Sequence, residues 1–79
     1  MSLISEDQII KMVELQLGKR DVQNNDRLVE DLGAESADVA NLVAAVEEKH
    51  DIIIKESEIA RIFTPADLFA LVQNRVVLK

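Results

Sequence analysis

The one run in this chain that reads as a β-strand, Ile52-Ile53-Ile54, has no second run to pair with, and an unpaired strand cannot close a hydrophobic core. That segment is expected to be an extended connector whose isoleucines fill a core built by helices. The other apolar residues recur at helical spacing: Ile9, Met12, Val13 and Leu17; then Val39, Leu42, Val43 and Val46; then Leu68, Leu71, Val72 and Val76. A length of 79 residues holds a single domain, read here as residues 1–79. With no Cys there is neither a disulfide nor a thiolate metal site, so packing has to hold the fold.

Local signals punctuate these stripes. Ser5 and Gln8 have the form of a capping box, which Ile4 and Ile9 would close as a hydrophobic staple, and Gly18 is placed to end the helix. They predict a first helix over residues 6–17. Ser36 stands where an N-cap would stand, with Asp38 in the first turn, and predicts a second helix over 37–49. Glu56–Ile62 is a short helical candidate. Thr64-Pro65-Ala66-Asp67 is a strong start signal for the last helix, because Thr suits the cap and Pro the first helical position. Residues 18–35 read as a loop, long enough to need anchoring by Val22, Leu28, Val29 and Leu32. The fold class is all-α: a small antiparallel four-helix bundle with one short helix and a long loop between helices one and two. One bundle uses all the apolar stripes, so a monomer is expected.

Charge narrows the function. The formal net charge is -6, from fifteen acids and nine bases, which argues against a surface built to neutralise nucleic-acid phosphates. From Glu30 to Glu48 there are six acids and no Lys or Arg, so this stretch alone accounts for the net charge. A local acidic field attracts basic partners, although a solvated face kept negative for solubility has the same composition. No apolar run approaches the roughly 18 residues that span a bilayer, and the opening Met-Ser-Leu-Ile-Ser lacks the regions of a signal peptide. A soluble, cytoplasmic protein is expected.

The chemistry concentrates in Glu30-Asp31-Leu32-Gly33-Ala34-Glu35-Ser36-Ala37-Asp38, an acidic loop that delivers a serine to a helix start. Two readings of Ser36 stay open at this point. It is either a plain cap or a surface hydroxyl placed where the helix dipole and free N–H groups tolerate an attached phosphate. A serine hydrolase is excluded if the helix is continuous, because fourteen residues at about 1.5 Å each put Ser36 and His50 roughly 21 Å apart. His50 then reads as a partner for the helix dipole. Glu47, Glu48 and Asp51 lack the spacing of a calcium loop, and no metal site is read from them.

Asp31-Leu32-Gly33-Ala34-Glu35-Ser36 resembles the Asp-Leu-Gly-Ala-Asp-Ser motif of acyl carrier proteins. Asn24-Asn25, Leu28-Val29-Glu30, Leu42-Val43, Ala45, Glu47-Glu48, Thr64 and Asp67-Leu68 also look like family positions in family order, so the resemblance covers nearly the whole chain. It implies a carrier and not an enzyme. Ser36 would accept 4'-phosphopantetheine from coenzyme A through a separate phosphopantetheinyl transferase, and the arm would hold acyl groups as thioesters. Glu35, Ala37, Asp38, Asn41, Glu47 and Glu48 would dock acyl-processing enzymes that present basic patches. Val43, Val46, Ile54, Ile59, Ile62 and Phe63 would line an acyl pocket or simply close the core. The sequence departs from the family pattern at Ala37, usually a bulky Leu or Met, at Asn41, usually an acid, and at Ala44, often larger. The pathway stays open among fatty-acid, lipid-modifying, polyketide and aminoacyl variants, and those departures point to a specialised one or to a dedicated partner set. An unmodified adaptor that keeps the fold and binds through its acidic face is the alternative.

Overall fold

A computed structural model describes residues 5–77, with side chains through residue 75. It contains four helices: α1 (Glu6–Leu17), α2 (Ser36–His50), α3 (Glu56–Ile59) and α4 (Pro65–Val77). Among the described residues there is no strand, and no helix is long and apolar enough to cross a membrane. Ile4 and the side chain of Val76 lie outside the described residues.

The helix ends follow local chemistry. Ser5 Oγ accepts from Gln8 N–H at 3.3 Å while Gln8 Oε1 accepts from Ser5 N–H at 3.2 Å, which satisfies two amide groups at the start of α1. Gly18 adopts the left-handed conformation (φ 65°) and donates its N–H to Glu14 O. At α4, Thr64 Oγ1 accepts from Asp67 N–H at 3.2 Å, and Asp67 Oδ2 accepts from the N–H groups of Phe63 and Thr64. The C-terminal end of α2 is less expected. Asp51 takes the left-handed position (φ 56°) that Gly18 fills in α1, and its N–H donates to Glu47 O.

The core draws Ile9 and Val13 from α1, Leu42, Val43 and Val46 from α2, and Leu68 and Val72 from α4, with α1 packed against both of the other long helices. The crossover between α1 and α2 adds Val22, Leu28 and Ala34. Each of the buried Val, Leu and Ile side chains contributes about 1.5–3 kcal/mol by leaving water. Backbone bonds fasten the crossover as well: Leu28 N–H donates to Phe63 O at 2.8 Å, and Ala66 N–H to Asn24 O at 3.1 Å. Its long span is therefore tied at two points to the start of α4 and the residues just before it. Val29, expected to help pin it, is instead 59% exposed, because the turn over 28–32 directs it away from the core while Leu28 and Leu32 face inward.

The isoleucine run also divides. Ile52 and Ile54 are buried and Ile53 is 77% exposed, as alternation along an extended backbone requires. The expected short helix over 56–62 ends at Ile59, and Ala60 and Arg61 form a turn that leads buried Ile62 back to the core.

Candidate functional site

Ser36 is the first residue of α2, and Glu35, not Ser36, occupies the N-cap position. The displacement has a physical cause. Asp38 Oδ2 accepts from Glu35 N–H at 3.0 Å, so the acid in the first turn reaches back to residue 35 and starts the helix there. Ser36 is exposed, and among the described residues its hydroxyl enters no hydrogen bond. Around it, the N–H groups that open α2 have no acceptor within the helix, and the dipole is positive. The arrangement suits a phosphodiester: a free hydroxyl to carry it and oriented donors beside it.

The loop that delivers Ser36 is closed by its own bonds. Gly33 is left-handed (φ 73°), which lets its N–H reach Val29 O at 3.2 Å and the next amide, Ala34 N–H, reach Leu28 O at 2.9 Å. Buried Ala34 then anchors the chain two residues before the serine.

The six acids of the negative stretch are not equivalent. Glu30 pairs with Arg27, and Asp31 Oδ2 accepts from Arg27 N–H at 2.8 Å. The hydrogen bond and charge of Glu30 raise the Arg27 pKa above its ordinary value, with a smaller contribution from Asp31. Asp38 is engaged at the start of α2, and half-buried Glu47 accepts from Ile54 N–H through Oε2 at 2.7 Å. Of the residues expected to dock partners, Glu35, Ala37, Asn41 and Glu48 are exposed, whereas Asp38 and Glu47 also hold the fold. Ala37, Asn41, Ala44 and Glu48 follow a four-three-four spacing and share one face of α2.

Of the residues expected at an acyl pocket, Val43, Val46, Ile54 and Ile62 are buried in the core, and Ile59 packs half-buried against it. Phe63 is 63% exposed. Ile62 and Phe63 do line a cleft of about 530 Å³, together with Arg27, Val29 and Glu30 of the crossover. Sequence reasoning missed Arg27, Val29 and Glu30 as cleft residues, since the two segments are distant in sequence and meet only in the fold, where Leu28 N–H bonds to Phe63 O.

α2 is continuous from Ser36 to His50, which keeps these two side chains at opposite ends of one helix and rules out a serine–histidine pair. His50 lies in the last turn of α2, as the dipole reading places it. Burial and, secondly, the charge of Lys49 lower its pKa, and its Nε2 is buried without a hydrogen-bond partner.

Comparison with known proteins agrees with this geometry. The family model described as "Phosphopantetheine attachment site" matches residues 7–72. An acyl carrier protein of Sulfurovum sp. (strain NBC37-1) is 35% identical over 94% of this chain and 99% of its own length. One from Wolinella succinogenes is 33% identical over 94% of this chain and 97% of its own. The solution structure of the acetyl actinorhodin acyl carrier protein from Streptomyces coelicolor has the same fold, with a TM-score of 0.79, 20% identity, and coverage of 98% of this chain and 95% of that one. The chain belongs to the phosphopantetheine-attachment-site family and, within it, to the acyl carrier proteins. It is a carrier and not an enzyme, and the cofactor of its class is 4'-phosphopantetheine.

Proposed function

We propose that Ser36 is the attachment residue and that the chain, acting as a single domain, carries acyl intermediates as thioesters for a dedicated set of partner enzymes. The observation that carries this is the free, exposed Ser36 hydroxyl at the start of α2. The neighbouring amides would hold the phosphate, and the bonds that close the 28–34 turn would keep the serine at a fixed place. When attached, 4'-phosphopantetheine supplies the thiol that a chain without Cys lacks. The cleft beside Val29, Ile62 and Phe63 offers apolar surface near that end of α2, and we assign the acyl chain to it in preference to the filled core.

Partner recognition is assigned to the α2 face of Ala37, Asn41, Ala44 and Glu48, with Glu35 at its edge. Exposed acids at both ends fit basic patches on a partner. The small centre favours partners that do not require a bulky apolar anchor at Ala37. That reading places the chain in a specialised acyl pathway, polyketide or lipid-modifying, and full turnover in a general fatty-acid synthesis system would refute it.

Intact mass after incubation with coenzyme A and a broad-specificity phosphopantetheinyl transferase tests the attachment. One phosphopantetheine is expected on the wild type and none on Ser36→Ala. A gain on Ser36→Ala would move the site. No gain on either protein, with a dedicated transferase also tried, would favour an unmodified adaptor.

A further inference from the structure

α3 is the least anchored helix. It spans four residues, none of them buried, and its only described apolar hold on the core is half-buried Ile59. A single side chain from α4 compensates. Arg75 Nη2 pairs with Glu58 Oε2 of α3, while Arg75 Nη1 donates to Ile53 O in the connector that enters α3. Glu58 is doubly used, because its Oε1 accepts from Lys55 N–H at 3.0 Å and so also starts α3. The side chains of Arg75 and Glu58 are 30% and 26% exposed, so the pair is partly shielded yet within reach of salt and of a competing cation. Among the described residues it is the one ion pair that joins segments distant in sequence, since the other, Arg27–Glu30, lies within one turn.

We propose that Arg75 is a latch: its bonds to Glu58 and Ile53 hold α3 and its entry segment shut, and their loss lets α3 open without unfolding the α1–α2–α4 bundle. The bundle has its own buried set, Ile9 and Val13 of α1, Leu42 and Val46 of α2, and Leu68 and Val72 of α4. Opening uncovers the apolar side chains Ile54, Ile59 and Ile62, of which Ile62 also lines the cleft. Only the consequence for an acyl chain rests on the carrier reading.

Residue-resolved amide hydrogen exchange on the full chain, before any loading of Ser36, tests the latch independently of that reading. The reporters are Ala60, Arg61 and Ile62, whose N–H groups bond to Glu56, Glu58 and Ile59 carbonyls, against Val13 and Val46 in the bundle. Glu58→Gln keeps an acceptor for Lys55 N–H but removes the ion pair, and Arg75→Gln removes both bonds. Each is expected to speed α3 exchange by at least about tenfold relative to the bundle, the factor a charge-assisted hydrogen bond carries. The double variant should be no faster than Arg75→Gln alone, because both substitutions break one contact. Equal acceleration of α3 and bundle amides, or double-variant acceleration equal to the product of the singles, overturns the proposal. Wild-type protein gives a second arm that survives if a variant fails to fold. Raising ionic strength from about 0.01 M to about 1 M shortens the screening length from ~30 Å to ~3 Å and should speed α3 exchange relative to the bundle. An unchanged ratio overturns the latch.

Discussion

Replacing Glu47 separates a structural acid from a docking acid. Its Oε2 accepts from Ile54 N–H at 2.7 Å, and the Ile54 side chain beside that amide is buried. In Glu47→Ala the amide loses its acceptor, at about 1–3 kcal/mol, while alanine returns a few tenths of a kcal/mol of helix propensity. A net loss of roughly 1–2.5 kcal/mol follows. With an unfolding entropy of about 2.1 cal/mol/K per residue over 79 residues, each 1 kcal/mol is worth ~6 °C, so Tm should fall by about 6–15 °C. Glu47→Gln retains a neutral acceptor and should lose about half as much. Glu48→Ala, one residue along and exposed, should stay within about 0.5 kcal/mol. Thermal and urea unfolding followed by circular dichroism measure all three. If Glu47→Ala and Glu48→Ala are equally benign, the Ile54 amide finds water without cost and Glu47 is free for partners after all. If Glu47→Ala alone is destabilised, a partner-binding defect in that variant says nothing about docking until stability is matched.

Three further outcomes are expected. Asp51→Gly should stabilise by about 1 kcal/mol, since glycine removes both the left-handed strain at φ 56° and an acid at the negative end of α2; an unchanged urea midpoint would show that the strain is absorbed elsewhere. His50 has a folded pKa below its unfolded value, so the unfolded chain binds more protons through that window: its contribution is present above the unfolded pKa and lost as pH falls through the folded one. Wild type should therefore lose more Tm than His50→Gln between about pH 7.5 and pH 5.5, the range that brackets an ordinary histidine, and parallel slopes would contradict this. Ser36→Ala should change stability by less than about 0.5 kcal/mol while Thr64→Ala loses about 1 kcal/mol, because Thr64 Oγ1 accepts a helix N–H and Ser36 Oγ does not; a comparable loss at Ser36 would mean that its hydroxyl caps the helix in solution.

What the sequence determined by itself lies in short-range physics. The capping boxes at Ser5 and Thr64, the glycine stop at Gly18 and the three apolar stripes each act within a turn or two of helix, so α1, α2 and α4 were legible from spacing alone. The Asp31–Ser36 motif was legible for the same reason, because a loop feeding a serine to a helix start is a local arrangement. Tertiary structure decided the features that depend on contacts between distant segments. The bond between Asp38 and Glu35 that displaced Ser36 from the cap is itself local, but apolar spacing does not encode it, and it left the serine hydroxyl free. Glu47 became an acceptor for a connector amide, Val29 and Phe63 turned outward across the Leu28–Phe63 bond, and Arg75 closed on Glu58. Stripes and caps report which face of a helix is buried, but which acid is spent on a backbone amide depends on where the chain returns, and only the packed fold fixes that.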